Sequence, residues 1–568
     1  MKEIITGAEA LMRSLQNEGV TTIFGYPGGA IMPVYDALYD YTRGEKRAFK
    51  HILVRHEQSA AHAAEGYARV SGEVGVCLVT SGPGVTNTLT GVADAMMDST
   101  PIVIIAGQVG IGALGTDAFQ EVDLVGVAQP ISKWSYQIRR PEDVAWAVSR
   151  AFYIARSGRP GPVVLDFPKN AQVHTTEWKP VHNDYVRSYV PYPAISADAV
   201  AEAAALINGA RKPLALVGQG VELANANAEL VAFLEKGDIP AARTLLGLSA
   251  LPSDHPLNVG MLGMHGNYAP NVKEQEADVI IAIGMRFSDR VTGRPDTYAR
   301  QAKIIHLDID KSEINKNVKA HVAVIGDCKE SLPAITRLLT KNNHQEWRDS
   351  FRPLAAMEWE RVIRPAIHPA DGPLLMGEVV NKVAEATKGE AILVTDVGQN
   401  QMFSCRYFKF RRRRSLASSG GLGTMGFAIP AAIGASFGAP DRTVCMFCGD
   451  GGLQMSIQEL GTIMEQQRPV KMILLNNNYL GNVRQWQDMF FDRRKSFTRM
   501  INPSYRQIAA GYNIPYRLVD DRAELGEAVA EMLSTEGPFL LECAIREDDD
   551  VLPMTPPGKS VDEMLLEI

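Results

Sequence analysis

Short apolar runs alternate with longer amphipathic stretches along almost the whole chain. That alternation predicts parallel sheets flanked by helices. Residues 443–448 and 470–475 are unbroken apolar runs, as expected of strands covered on both faces. Residues 456–465 between them have helical spacing, so this stretch predicts one βαβ crossover whose two strands run parallel. Residues 102–106, 213–217, 277–284 and 304–310 read as further strands, several of them ending in Gly or Asp. Near the start, Thr6-Gly7-Ala8-Glu9 has the pattern of a capping box opening an amphipathic helix.

The pattern repeats once. VCLVTSGPG (76–84), a helix and PIVIIAGQ (101–108) echo VCMFCGDGG (444–452), a helix and PVKMILLNN (469–477). Gly66 and Gly434, Cys77 and Cys445, and Pro101 and Pro469 are all 368 positions apart (434 − 66, 445 − 77, 469 − 101). Three matches in register imply a duplicated unit. A third α/β region lies between the copies, over residues 195–339. The expected fold class is therefore α/β, with three doubly wound parallel-sheet domains at 1–185, 195–340 and 370–555. A proline-rich crossing near 190–194 and a linker over 341–372 join them.

Composition narrows the partners. The chain has 568 residues, too many for one core, with 46% hydrophobic and 22% charged residues, as in globular proteins. A net charge of -7 speaks against nucleic acid or an anionic membrane as a partner. The one basic run, 411–414, reads as a solvated loop. Six cysteines form no disulfide framework, and Cys445 and Cys448 fall in a strand, as buried thiols do. Apolar runs are too short to span a bilayer, and the first residues do not read as a signal peptide, so a cytoplasmic location is expected.

Both polar clusters of the later crossover, Gly449-Asp450-Gly451-Gly452 and Asn476-Asn477, emerge at the carboxyl edge of a sheet, where such sheets bind ligands. Asp450 offers a carboxylate and Asn477 an amide oxygen, hard ligands suited to Mg²⁺ holding a diphosphate. The glycines would let backbone amides approach phosphate oxygens. The pairing is the pattern of thiamine-diphosphate enzymes. Such a cofactor needs a carboxylate facing its aminopyrimidine, which promotes loss of the C2 proton. Glu57, after residues 51–54 and before an alanine-rich helix, is the candidate, with Glu65 too deep in that helix. The offset sets Glu57 opposite Met425 (57 + 368), within Gly420-Gly421-Leu422-Gly423-Thr424-Met425-Gly426, where an apolar side chain can wedge the cofactor rings into a bent form.

From residue 4 to about residue 555 the chain resembles the acetohydroxyacid synthase (acetolactate synthase) catalytic subunits. The resemblance rests on Phe24-Gly25-Tyr26-Pro27-Gly28-Gly29-Ala30, His56-Glu57-Gln58, Thr80-Ser81-Gly82-Pro83-Gly84, Gly263-Met264-His265-Gly266, Arg286-Phe287-Ser288-Asp289-Arg290-Val291-Thr292-Gly293 and Arg484-Gln485-Trp486-Gln487. It implies decarboxylation of pyruvate and condensation of the two-carbon unit with pyruvate or 2-ketobutyrate, in branched-chain amino acid biosynthesis. Arg290 would hold the second acid's carboxylate and Trp486 would shape an apolar pocket for its alkyl group. Phe119, Gln120 and Lys169 match residues that approach the thiazolium. Gly28, Gly29 and Pro83 match cofactor contacts of the earlier copy. Gly398, Gln399, Asn400, Gln401 and Gly481 match the diphosphate site, and the Tyr479 carbonyl matches a third Mg²⁺ ligand.

The resemblance also implies FAD in the middle domain. Positions matching its contacts are Arg159, Gly218 and Gly220; Thr244, Leu245 and Leu246; Met264, His265 and Gly266; and Gly284, Arg286, Asp308, Ile309 and Asp327. Asn400, Phe403, Tyr479 and Asn482 depart from the family's usual residues, which puts one phosphate contact and the pocket shape in question. A homodimer or tetramer with active sites at the subunit interface is implied, with a small regulatory subunit. A 2-ketoacid oxidase or decarboxylase of the same build, and a non-catalytic scaffold, are the competing readings.

Overall fold

A computed structural model describes residues 2–567. Three six-stranded sheets carry the chain, and every strand pairing inside them is parallel. With strands numbered in chain order within each sheet, the first (residues 22–168) runs 2-1-3-4-6-5, and the third (residues 392–544) runs 2-1-3-4-6-5 too. The second (residues 213–325) runs 3-2-1-4-5-6, the order of dinucleotide-binding sheets. Strand order thus repeats between the outer sheets and differs in the middle one.

The duplicated crossover is visible element by element. In the first sheet, helix α1 (Glu57–Ser71) precedes strand β1 (Gly75–Val79), and β2 (Ile102–Gln108) follows. In the third, α2 (Ala428–Gly438) precedes β3 (Val444–Gly449), α3 (Asp450–Met455) and β4 (Val470–Asn476). α1 starts at His56, whose ring nitrogen accepts from the Gln58 amide (3.2 Å), and stops at Gly72, whose φ of +83° suits glycine. Its run of alanines presents a narrow face to α2, and the outer cores merge there. Ala60, Ala64 and Phe24 share one buried cluster with Phe427, Ala431 and Ile433.

Several expectations need correction. Thr6 accepts the Glu9 amide (3.2 Å), but the Glu9 carboxylate does not return the bond. It goes instead to Arg13, Tyr41 and Lys46, so only half of the capping box forms. The helix placed at 456–465 begins earlier, at Asp450. It breaks at Ser456 and resumes as Ile457–Glu459 and Leu460–Gln466. The linker carries short helices, Gln345–Asp349, Arg352–Glu358 and Arg364–Ile367. Its buried Glu358 accepts from Arg406 Nη2 (2.6 Å) and the Tyr268 amide (2.8 Å), tying the second sheet's region to the third's. In the basic run, Arg411, Arg412 and Arg413 are exposed as expected, whereas Arg414 is half-buried and donates to Asn225.

All six cysteines are free and buried. Among the described residues no helix is long and apolar enough to cross a membrane.

Candidate active site

A large cavity, about 540 Å³, opens where the middle sheet's strand order reverses. Strands Pro213–Val217 and Val279–Ile283 lie side by side there, and their exits carry Gly218, Gly220 and Gly284. These glycines serve close packing. A Cβ on Gly220 would lie 2.6 Å from Gly284 Cα, so the two exit loops touch backbone to backbone and leave the cavity open above them. Gly284 also needs glycine for its φ of +57°.

Nearly all residues expected around a flavin line this space. Arg159, Thr244, Leu245, Leu246, Met264 and His265 are there, as are Arg286, Asp308, Ile309 and Asp327. Gly266 is not. It packs behind the wall, where its carbonyl accepts from Arg406 Nη1 (2.6 Å). Burial pushes the Asp308 carboxyl up to about 7, and Arg159 beside it is held by Ser99 Oγ (2.8 Å) and Asp310 (3.2 Å). Arg290, on helix Asp289–Thr292, and Trp486, on helix Gly481–Phe490, line the same cavity. The Arg290 side chain is 61% exposed, with its nearest carboxylate, Asp289, 3.8 Å away, so its charge is free to meet a ligand. Trp486 packs edge-on against Phe490, and its buried ring N–H has no partner. Its neighbours Arg484 and Gln485 are structural: Arg484 pairs with Asp550 (2.7 Å) and Gln485 caps Val551.

The polar clusters of the later copy meet at the corresponding edge of the third sheet. β3 and β4 pair from Val444 and Val470 to Gly449 and Leu475, so Asp450 and the Asn476-Asn477 pair leave the sheet at the same edge. One Asp450 oxygen accepts from Asn502 Nδ2 (2.7 Å); the other is buried without a partner. Burial raises the Asp450 carboxyl above its ordinary range, and the Asn502 bond pulls it back. An orphaned buried carboxylate oxygen is what a bound divalent cation would satisfy. Asn477 Nδ2 donates to Gln399 (3.3 Å), linking the pair to the turn at Gly398, where φ is +99°. Bonds flanking Tyr479 use the Leu480 amide (2.8 Å) and the Asn478 carbonyl (2.8 Å), so the Tyr479 carbonyl stays outside that ladder.

The neighbouring residues also make contacts within the chain. Gly452 backs onto the Asp396 carboxylate and Gly451 onto Leu480 (2.7 Å from a Cβ there), so neither position has room for a side chain. Gly481 backs onto the Gln399 side chain. Only Gly449 faces open space, 3.7 Å from Asn400. Gln399 and Gln401 spend their amide donors on Asp549, Ser418 and Ser419, while Asn400 donates to Val397 (2.9 Å). Met425 does reach the turn, 3.4 Å from a Cβ on Gly451, with Gly423 two residues before it at φ +73°. Asp396, which the pattern did not mark, holds this loop by accepting from the Gly426 (3.0 Å) and Ala428 (3.1 Å) amides. A buried Asp following a strand was the only signal for it.

The earlier copy's residues gather elsewhere. Glu57 opens α1, half-buried, with Asn87 Nδ2 on one oxygen (2.9 Å). Pro83 starts the turn after β1, Gly28 packs on Thr80, and Gly29 faces open space. Gln120 holds φ +62°, Lys169 is exposed, and Phe119 is 88% exposed. None of these lines the large cavity or touches Asp450 in this chain. The segment starting at Asp450 reaches the Glu57 turn only at Glu459, nine positions on (459 − 450).

Three family models match the chain. They describe the N-terminal TPP binding domain (5–127), central domain (200–335) and C-terminal TPP binding domain (396–543) of thiamine pyrophosphate enzymes. Repeated outer sheets around a dinucleotide-type middle sheet, with Asp450 and Asn477 at the later edge, agree with that class. Curated relatives extend over the whole length. The acetolactate synthase isozyme 2 large subunit of Escherichia coli is 42% identical over 99% of each chain. The acetolactate synthase large subunit of Parasynechococcus marenigrum is 43% identical over 99% of this chain and 91% of its own. That of Lactococcus lactis is 40% identical over 99% and 96%. The chain belongs to the acetolactate synthase large-subunit family of thiamine pyrophosphate enzymes.

Proposed function

We propose that the chain works as an acetohydroxyacid synthase that decarboxylates pyruvate and joins the two-carbon unit to pyruvate or 2-ketobutyrate. One observation supports carboligation most directly: Arg290 and Trp486 share one cavity, which so combines a free cation with an aromatic side chain. A 2-ketoacid offers a carboxylate to the first and an alkyl chain to the second. Incubation with pyruvate tests this, with 2-acetolactate expected as the main product.

Thiamine diphosphate, when bound, supplies the electron sink for decarboxylating a 2-ketoacid. Asp450, Asn477 and the Tyr479 carbonyl would hold Mg²⁺, and the Gly398 turn and Gly449 would face the diphosphate. The Glu57 oxygen not taken by Asn87 would hold a proton at the aminopyrimidine, and Met425 would fill the space beneath the rings. Gln120, Lys169 and Phe119 would face the substrate, and the middle-sheet cavity would hold FAD.

Glu57 and Asp450 do not share a pocket within one chain, and the exposed apolar Phe119 stands next to Gln120. Both features favour a homodimer or tetramer in which a second copy completes each site. A small regulatory subunit is proposed because the relatives are large subunits, and a cytoplasmic location because the substrates are soluble metabolites. The three units are assigned as domains 1–185, 195–340 and 370–555.

A further inference from the structure

Glu459 is 0% exposed, yet it is an ionisable side chain outside the large cavity and away from the polar cluster at Asp450. It stands at the end of Ile457–Glu459 in the later copy, and it reaches into the earlier one. Its Oε1 accepts from the Arg55 backbone amide (2.9 Å), two residues before Glu57. Its Oε2 accepts from Thr462 Oγ1 (2.7 Å), a hydroxyl that lies 3.3 Å from the Leu53 carbonyl. The Arg55 side chain closes the grip by donating to the Gly461 carbonyl (3.3 Å) and pairing with Glu465 (2.8 Å). The turn carrying Glu57 is thus fixed by the segment that starts at Asp450.

The earlier copy returns the contact. Asp98, 1% exposed, accepts from the Gly420 (2.7 Å) and Gly421 (2.8 Å) amides and pairs with Arg69 of α1 (2.7 Å). Those glycines begin the loop that ends at Met425. Each half therefore holds, with one buried carboxylate, the loop by which the other presents a residue to the cofactor. Carboxylates are expensive to bury, and surface loops do not need them for stability alone.

We propose that Glu459 is a positioning residue for Glu57, setting the start of α1 so that the Glu57 carboxylate is held in one place, with Asp98 giving the same service to the Met425 loop. The proposal rests on the reading of Glu57 as the group that faces the aminopyrimidine. A charge-assisted acceptor on a backbone amide fixes a turn more tightly than a neutral amide would. Misplacing a reacting group by a fraction of an ångström lowers rate without lowering substrate affinity.

The test uses the full chain with Glu459→Gln and the milder Thr462→Val, which loosens Glu459 while keeping its charge. Without cofactor, backbone hydrogen exchange at residues 55–59 should quicken in both. With thiamine diphosphate and Mg²⁺ bound, exchange of the cofactor's C2 proton for deuterium should slow on the order of tenfold in Glu459→Gln, with kcat falling in step and the pyruvate KM nearly unchanged. Thr462→Val should shift the same quantities less, and it decides the matter if Glu459→Gln does not fold. C2 exchange at the wild-type rate in the folded variant overturns the proposal, whatever happens to thermal stability. Glu57→Gln is run beside them. Exchange lost there but retained in the Glu459 and Thr462 variants removes only the positioning role, while exchange retained in Glu57→Gln removes the reading of Glu57 itself.

Discussion

Gly66 and Gly434 occupy the same position in the two copies, and each makes room for the other's helix. A Cβ on Gly66 would run into the Ala431 carbonyl, and one on Gly434 into the Ala63 carbonyl. The two contacts exchange under the offset, since 63 + 368 is 431 and 66 + 368 is 434. α1 and α2 therefore cross about a local two-fold, and the neighbouring atoms are backbone, which cannot swing aside. Gly66→Ala and Gly434→Ala should each destabilise the chain by about 1–3 kcal/mol or more. Urea unfolding checks this, and the two losses should be alike.

Glu57→Gln should nearly abolish turnover and leave the fold intact. The residue is half-buried and its single side-chain bond, to Asn87, survives with an amide in place. Circular dichroism and the rate of pyruvate consumption separate the two effects. Wild-type turnover in this variant contradicts the role of Glu57.

Gly220→Val should empty the middle-sheet cavity of flavin. The added atoms have only Gly284 backbone to displace, starting 2.6 Å from its Cα. Visible absorbance of the purified protein is the readout, and full flavin content in the variant would mean the cofactor sits elsewhere.

Trp486→Leu should reduce preference for 2-ketobutyrate over pyruvate roughly tenfold, because one methylene in an apolar pocket is worth about 1–3 kcal/mol. Arg290→Gln should instead raise the concentration of the second ketoacid needed for half-maximal rate. Competition between the two acids, read as product ratio, distinguishes these outcomes.

Asp166 gives the chain a pH dependence of known sign. Burial pushes its carboxyl up to about 6 from 3.8, one oxygen accepts from Gln137 (2.7 Å), and the other is unpaired. A carboxyl with a raised folded-state pKa contributes stability that is fully present below its unfolded value and lost as pH rises through about 6. Asp166→Asn should therefore melt above the wild type at about pH 8, with the gap closing towards about pH 4. A gap that stays constant across that window would contradict the assignment.

The offset between Gly66 and Gly434, Cys77 and Cys445 made the duplication legible in sequence because small residues and strand exits are fixed by local packing. The Asp450–Asn477 pair was legible for the same reason, as adjacent parallel strands must end together. The middle sheet's 3-2-1-4-5-6 order was not, since short apolar runs do not say which neighbours they pair with. Asp396, Asp98 and Glu459 were invisible too. Glu459 meets Arg55 across 404 positions, and a lone Glu on a helical stretch has no pattern announcing a distant backbone amide. The glycines at 451, 452 and 481 were visible as a cluster, but sequence did not say that each also makes room for a neighbouring side chain, those of Leu480, Asp396 and Gln399.

Every role given to Arg290 and Trp486 depends on the chain's joining two ketoacids. Purified protein given pyruvate, thiamine diphosphate, Mg²⁺ and FAD, with products resolved by NMR, tests it most directly. The expected product is 2-acetolactate, joined by 2-aceto-2-hydroxybutyrate once 2-ketobutyrate is added. Acetaldehyde or acetyl phosphate as the main product would contradict it.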